Sequence, residues 1–412
     1  MPDVDMLLIG GGMAAANCAR WLREEGFEGS VTLCGRELDP PYNRPPCSKG
    51  HLQGKESRED VLFRPDAWWD EQRIDLRTRT SVTALDPAAK AATLSSGEQL
   101  SFDKALIATG AMVRRLQVEG GEHDRIHYLR TLPNSDAIRA DALEAEHVVV
   151  VGGSYIGTEV AASLVTLGKQ VTIVMLEEVV HERSFGPTAG RFFQGVLEEH
   201  GVRIVGGDEL DRFEGPEGHV TAVHTRGGES IACQCVVIGA GVLPDVHLAS
   251  AAGLPIGERG GVRCDATLAV DGFADLWAAG DMCEFDSVIH GRPMRIEHWD
   301  VAFNQGKTAA LNMLGRTQPH DVVPYFFSDL ADWASLEYVG PASTWDQEVV
   351  RGSIDDGEFA IFYLSGGRVV ACLAVEASEA LNHASRLLKD GVDVSGREVH
   401  LADREADLAE LA

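Results

Sequence analysis

The stretch "DMLLIGGGMAAANCARWLREEGFEGSVTLCG", residues 5–35, decides the fold. Residues 6–9 are an apolar run of strand length. Gly10, Gly12 and Ala15 then fill a GxGxxA spacing, a helical stretch follows, and Val31–Cys34 is a second apolar run at the distance expected of a βαβ unit. Two glycines permit a tight turn and a close approach of backbone to a pyrophosphate, and a small third residue lets the helix pack on the strand. The helix start offers free N–H groups and the positive end of its dipole to phosphate. A glycine string alone is weak evidence, but this one sits between a strand and a helix, which makes it a dinucleotide fingerprint. An acid is expected after the second strand to hold a ribose, and Glu37 is the nearest.

The pattern returns in "HVVVVGGSYIGTEVAASLVTLGKQVTIVMLEE", residues 147–178. Gly152, Ser154 and Gly157 form GxSxxG between apolar runs at 148–151 and 171–174. Serine replaces the middle glycine, which is compatible with the motif if its φ stays negative, and its hydroxyl is an extra hydrogen-bonding group. Met175 stands where the ribose-binding acid is expected, so that role passes to Glu177 or Glu178. Two such units imply two dinucleotides or a duplication, and FAD in the first with a nicotinamide coenzyme in the second is the simplest assignment.

Shorter strings mark further turns. "KALIATGA" ends a strand at Thr109 and Gly110, "CVVIGAGVLPD" repeats that ending around Gly241, and "ATLAVDGFADLWAAGDMCEF" runs into Gly280 and Asp281. Asp281 is read as a helix cap or as a ligand for a ribityl hydroxyl.

The chain has 412 residues, 44% hydrophobic, enough for two or three folded domains. Its formal charge of -28 repels phosphate backbones and argues against nucleic acid as a partner. None of its eight cysteines forms a CxxC or CxxxxC pair, so neither a disulfide-reductase dithiol nor a zinc or iron-sulfur framework is expected, and no metal site is assigned. No apolar run reaches membrane-spanning length and no targeting segment precedes the first strand, so a cytoplasmic protein is expected.

The most specific strings are "PPYNRPPCSKGHL" within 39–52, "YIGTEVAASL" at 155–164, "LWAAGD" at 276–281, "RIEHWDVAFNQGKTAALNML" at 295–314 and "PYFFSDL" at 324–330. Together, in this order, they resemble the FAD-dependent NAD(P)H:ferredoxin and rubredoxin reductases of the putidaredoxin reductase and biphenyl dioxygenase reductase type, in the glutathione reductase superfamily. Apoptosis-inducing factor is a more distant relative.

The resemblance implies an α/β fold of two Rossmann-like domains and a small C-terminal α+β domain. Residues 1–113 and 245–322 would bind FAD, 114–244 would bind NAD(P)H, and 323–412 would form the third domain. It places the proline-rich loop along FAD, with Arg44 toward the pyrophosphate and Lys49 near the reactive edge of the flavin. Proline holds φ near -65° and so limits the freedom of both cations. Asp281 is implied at the ribityl chain, Glu159 at the nicotinamide end, and Glu297 and Trp299 where nicotinamide stacks on flavin. Ile156 would lie on the coenzyme, and Phe327 stands where relatives often carry tryptophan.

The function so implied is hydride transfer from NADH, with NADPH as the alternative, to FAD, followed by single-electron delivery to a ferredoxin or rubredoxin of an oxygenase chain. The protein would act as a monomer or homodimer. Two other readings stay open: an NADH oxidase or peroxidase using Cys47, which sits where relatives have leucine, and a flavin-bearing interaction protein.

Overall fold

The computed structural model describes residues 3–411. The chain divides into two compact units. It leaves the first after Asn43 for the segment Arg44–Arg58, leaves it again after Met112, returns at Val242, and stays in the second from Val323 onward. The proline-rich loop is therefore split, with its Arg44–Lys49 portion in the second unit.

The first unit is built on a parallel sheet in the order Ile74–Arg77, Val31–Cys34, Val4–Ile9, Gln99–Ile107, with Leu276–Ala278 also pairing with Gln99–Ile107. In register, Leu8 lies between Leu33 and Leu106. All three are fully buried, as expected of a parallel sheet covered on both faces. Ala91–Leu94 and Val82–Asp86 extend the sheet in antiparallel sense. Helix Met13–Glu24 meets helix Trp299–Met313 so closely that a Cβ on Gly306 would stand 2.3 Å from the Ala14 carbonyl oxygen. One of the two readings of Asp281 is excluded here. Asp281 caps no helix, because the chain turns after Ala278 directly into the strand Cys283–Ser287.

The second unit carries a five-stranded parallel sheet in the order Arg203–Val205, Gln170–Val174, His147–Val151, Cys235–Ile238, Ile126–Tyr128. Its C-terminal part is a five-stranded antiparallel sheet in the order Tyr325–Leu330, Ala334–Val339, Arg368–Val375, Glu358–Ser365, Gln347–Ser353. Helix Glu379–Asp390 buries Ala380, Leu381, Ala384 and Leu387 in a cluster with Phe362 and Leu364. Strand residues alternate faces. Tyr363 accordingly turns from that cluster, and its hydroxyl donates to the Phe185 carbonyl at 2.8 Å. Both faces of this strand are buried, which explains an apolar run without polar alternation.

All eight cysteines are buried and none is in a disulfide, in keeping with small apolar packing groups. No helix among the described residues is long and apolar enough to cross a membrane.

Candidate functional site

In the first unit, Gly10 has φ of 131°, and a Cβ there would lie 2.1 Å from the Ala108 carbonyl oxygen, so the turn itself demands glycine. Gly12 differs. It begins the helix Met13–Glu24 at φ -89° and ψ -176°, a conformation open to any residue, and a Cβ would meet nothing within 4 Å. Its missing side chain keeps space open at the helix N-terminus, which is the shape a pyrophosphate requires. Ala15 is fully buried beneath it. The strand and turn residues therefore fit a dinucleotide such as FAD.

Around this cradle, Glu37 Oε2 accepts a 2.6 Å bond from the Tyr42 hydroxyl. Arg36 pairs with Asp245 at 2.7 Å, and Asp245 is bonded to both Gly110 and Thr109: its N–H donates to the Gly110 carbonyl, and its carbonyl accepts from the Thr109 hydroxyl. The Gly280 N–H donates to Gln305 Oε1 at 2.7 Å, with φ of 81° at Gly280. Arg295 donates to the Asp281 carbonyl at 3.0 Å and pairs with Glu297. Trp299 stacks on Phe303 and donates from Nε1 to Asn43 Oδ1 at 3.2 Å.

The second unit repeats the cradle. At Gly152, φ is 108° and a Cβ would meet the Gly239 carbonyl oxygen at 2.5 Å; at Gly157 it would meet that of Gly152 at 1.9 Å. Ser154 holds φ -95° and ψ -170°, nearly the backbone of Gly12, so the serine introduces no strain, and its hydroxyl makes no capping bond. Ile156 is 38% exposed beside it. Gly241 has φ of 88°. Glu177 pairs with Arg183.

The remaining predicted residues gather on one ammonium group. Lys49 Nζ is 2.8 Å from Asp329 Oδ2, 3.3 Å from Glu159 Oε1 and 4.8 Å from the centre of the Phe327 ring. Glu159 is only 5% exposed, and each of its oxygens also accepts a 2.5 Å bond from a hydroxyl, Ser48 on Oε2 and Ser328 on Oε1. Burial pushes the Glu159 carboxyl above the usual glutamate range, with Lys49 and the two hydroxyls opposing it.

The segment bearing Lys49 is pinned as well as stiff. The Ser135 hydroxyl donates to the Cys47 carbonyl and the Ser163 hydroxyl to the Ser48 carbonyl, both at 2.7 Å. His51 pairs with Asp136 at 2.8 Å, and Arg44 donates to the Arg130 carbonyl at 2.8 Å. Cys47 is 3% exposed.

Sequence reasoning missed Arg36, Tyr42, Asn43, Asp245 and Arg295 in the first unit, and Ser48, Ser328 and Asp329 in the second. Ser48 and Lys49 are adjacent in "CSK" and Ser328 and Asp329 in "FSD", so polar pairs inside apolar strings were the available signal.

The pyridine nucleotide-disulphide oxidoreductase family model matches residues 4–306, and the reductase C-terminal model matches 325–412. The chain is 35% identical over 413 aligned residues to the 5,5'-dehydrodivanillate O-demethylase ferredoxin reductase subunit of a Sphingobium species, covering 100% of this chain and 99% of that one. It is 33% identical to putidaredoxin reductase of Pseudomonas putida, covering 99% and 96%. Among solved structures, the ferredoxin reductase of the CYP199A2 system from Rhodopseudomonas palustris matches with a TM-score of 0.93 at 31% identity, covering 99% of each chain. The covalent putidaredoxin reductase–putidaredoxin complex also matches at 0.93 and 31%, covering 100% and 98%. With two cradles of the right shape and a match along its whole length, the chain belongs to the pyridine nucleotide-disulphide oxidoreductase family and is an FAD- and NAD(P)H-dependent oxidoreductase.

Proposed function

We propose that the protein oxidises NADH and delivers single electrons to a ferredoxin or rubredoxin, as the reductase of an oxygenase chain. FAD, when bound, supplies the conversion of a hydride into two one-electron transfers. The observation that carries this reading is the Lys49 cluster, a cation anchored among carboxylates, in a chain without a CxxC or CxxxxC pair. Relatives over 89% of the chain or more include a rubredoxin reductase and the reductase captured with putidaredoxin, which supports the choice of acceptor.

Under this reading, 1–113 with 245–322 bind FAD, 114–244 bind the coenzyme and 323–412 form the third domain. Gly10, Gly12, Ala15, Glu37, Arg44, Thr109, Gly110, Gly280 and Asp281 hold FAD. Gly152, Ser154, Ile156, Gly157, Glu177 and Gly241 hold the coenzyme, and Lys49, Glu159, Glu297, Trp299 and Phe327 take part in the hydride transfer. The protein works in the cytoplasm as a monomer or homodimer, without nucleic acid.

The coenzyme loop supports NADH over NADPH. Glu177 takes up Arg183, Glu182 Oε2 accepts the Glu178 N–H at 2.9 Å, and the Asp208 N–H donates to the Met175 carbonyl at 3.1 Å. A 2′-phosphate would meet four carboxylates and one arginine already paired. Anaerobic addition of NADH or NADPH to the purified yellow protein, followed by ferredoxin, rubredoxin, quinone or peroxide, tests the proposal. Fast bleaching by NADH and fast recovery with ferredoxin or rubredoxin are expected; recovery with peroxide alone would defeat it.

A further inference from the structure

Lys49 has three N–H donors, and two carboxylates compete for them. The nearer is not Glu159 but Asp329, at 2.8 Å against 3.3 Å. Asp329 lies on the strand Tyr325–Leu330, directly opposite Ser335 on Ala334–Val339, and the Ser335 hydroxyl donates to its other oxygen at 2.5 Å. One carboxylate oxygen is thus fixed by the neighbouring strand while the other faces the ammonium. Partial burial works to raise the Asp329 carboxyl, and the bonds from Lys49 and Ser335 outweigh it, holding the group below the usual aspartate range. It is a stable anion.

With Glu159 and Asp329 both ionised, the trio with Lys49 carries a net charge of -1. The two carboxylates differ in surroundings: the Glu159 side chain is 7% exposed and that of Asp329 is 37% exposed. Burial sets a larger cost on charge at Glu159 than at Asp329, so Asp329 is the better counter-ion for the lysine. We propose that Asp329 is a positioning residue that holds and partly neutralises the Lys49 ammonium, and so sets how strongly the site favours the reduced cofactor. The inference rests on the reading that Lys49 faces the flavin edge. Asp329 touches neither cofactor nor coenzyme in this account and acts only through Lys49.

The test is the midpoint potential of FAD-loaded wild type, Asp329→Asn, Asp329→Glu, Ser335→Ala and Lys49→Gln, with FAD content and melting temperature as controls of folding. Reduction adds negative charge to the flavin, so a less neutralised lysine favours the reduced form. Asp329→Asn is expected to shift the reduced-to-oxidised ratio about tenfold toward reduced at fixed potential, about 30 mV for a two-electron couple. Asp329→Glu should restore the wild-type value, Ser335→Ala should give a smaller shift of the same sign, and Lys49→Gln should shift the other way. A wild-type potential in folded, FAD-loaded Asp329→Asn beside a shifted Lys49→Gln would overturn the inference and leave the reading of Lys49 standing. A wild-type potential in both would remove that reading too.

Discussion

The Ser328 hydroxyl donates to Glu159 Oε1 at 2.5 Å although 169 residues separate the two. The bond ties the C-terminal sheet to the helix Tyr155–Thr166 of the second cradle. With the matching bond from Ser48, it gives a buried carboxylate two of the donors it needs.

Glu159 remains a costly residue for the fold, because burial raises its carboxyl above the ordinary glutamate value. The native state therefore holds this proton to a higher pH than the unfolded chain does. Its contribution to stability is lost as pH rises from the unfolded value through the raised native one. Glu159→Gln should match or exceed wild-type stability at neutral pH, by on the order of 1 kcal/mol, with the gap closing in acid. Reduction by NADH should slow by roughly tenfold to a hundredfold. Unfolding curves against pH and rapid-mixing reduction check the two halves separately.

His181 gives the opposite sign. It is 3% exposed among Tyr155, Phe185 and Phe193, bonded through Nε2 to Thr158, with no partner for Nδ1 among the described residues. Burial lowers it to about 4. The unfolded chain takes up this proton first, so stability is lost as pH falls from the ordinary histidine value toward about 4. Its φ of 57° suits asparagine. His181→Asn should lose less stability than wild type on acidification, the difference approaching about 3 kcal/mol at the low end. An equal loss of unfolding free energy in wild type and variant between neutral and acid pH, read from denaturant titrations, would contradict this.

The Glu177–Arg183 pair predicts coenzyme preference. Removing the charge in Glu177→Gln frees the guanidinium and one site of repulsion, so the ratio of kcat/KM for NADH over NADPH should fall about tenfold. Steady-state rates with both nucleotides decide it. An unchanged ratio would place the 2′ position elsewhere.

Cys47 is expected to be a packing residue, since it is 3% exposed. Cys47→Ser should keep ferredoxin-linked turnover within about twofold of wild type and should abolish no NADH-driven peroxide reduction, because that activity does not depend on the thiol. Loss of peroxide reduction in the serine variant alone would assign the thiol redox chemistry.

Both cradles were legible in sequence because each is local: apolar strand, glycine turn and helix follow one another within about thirty residues. Val31–Cys34 appears with the same bounds, and the negative φ required of Ser154 is present at -95°. What stayed hidden was non-local. Nothing near Glu159 in the chain announces Ser48 or Ser328, and nothing near Lys49 announces Asp329. Asp281 was misread as a possible helix cap for the converse reason, since a Gly-Asp turn precedes strands and helices alike.

The central claim is that the first cradle holds FAD and the second the nicotinamide coenzyme. Gly12 and Ser154 test it cleanly, because both have ordinary extended backbone and a Cβ at Gly12 would meet nothing within 4 Å. The deciding measurement is bound FAD per chain, with anaerobic reduction by NADH, in Gly12→Val and Ser154→Val. Gly12→Val should fold and purify without flavin, and Ser154→Val should stay yellow but resist reduction by NADH. A flavin-loaded Gly12→Val protein beside a colourless Ser154→Val protein would contradict the assignment.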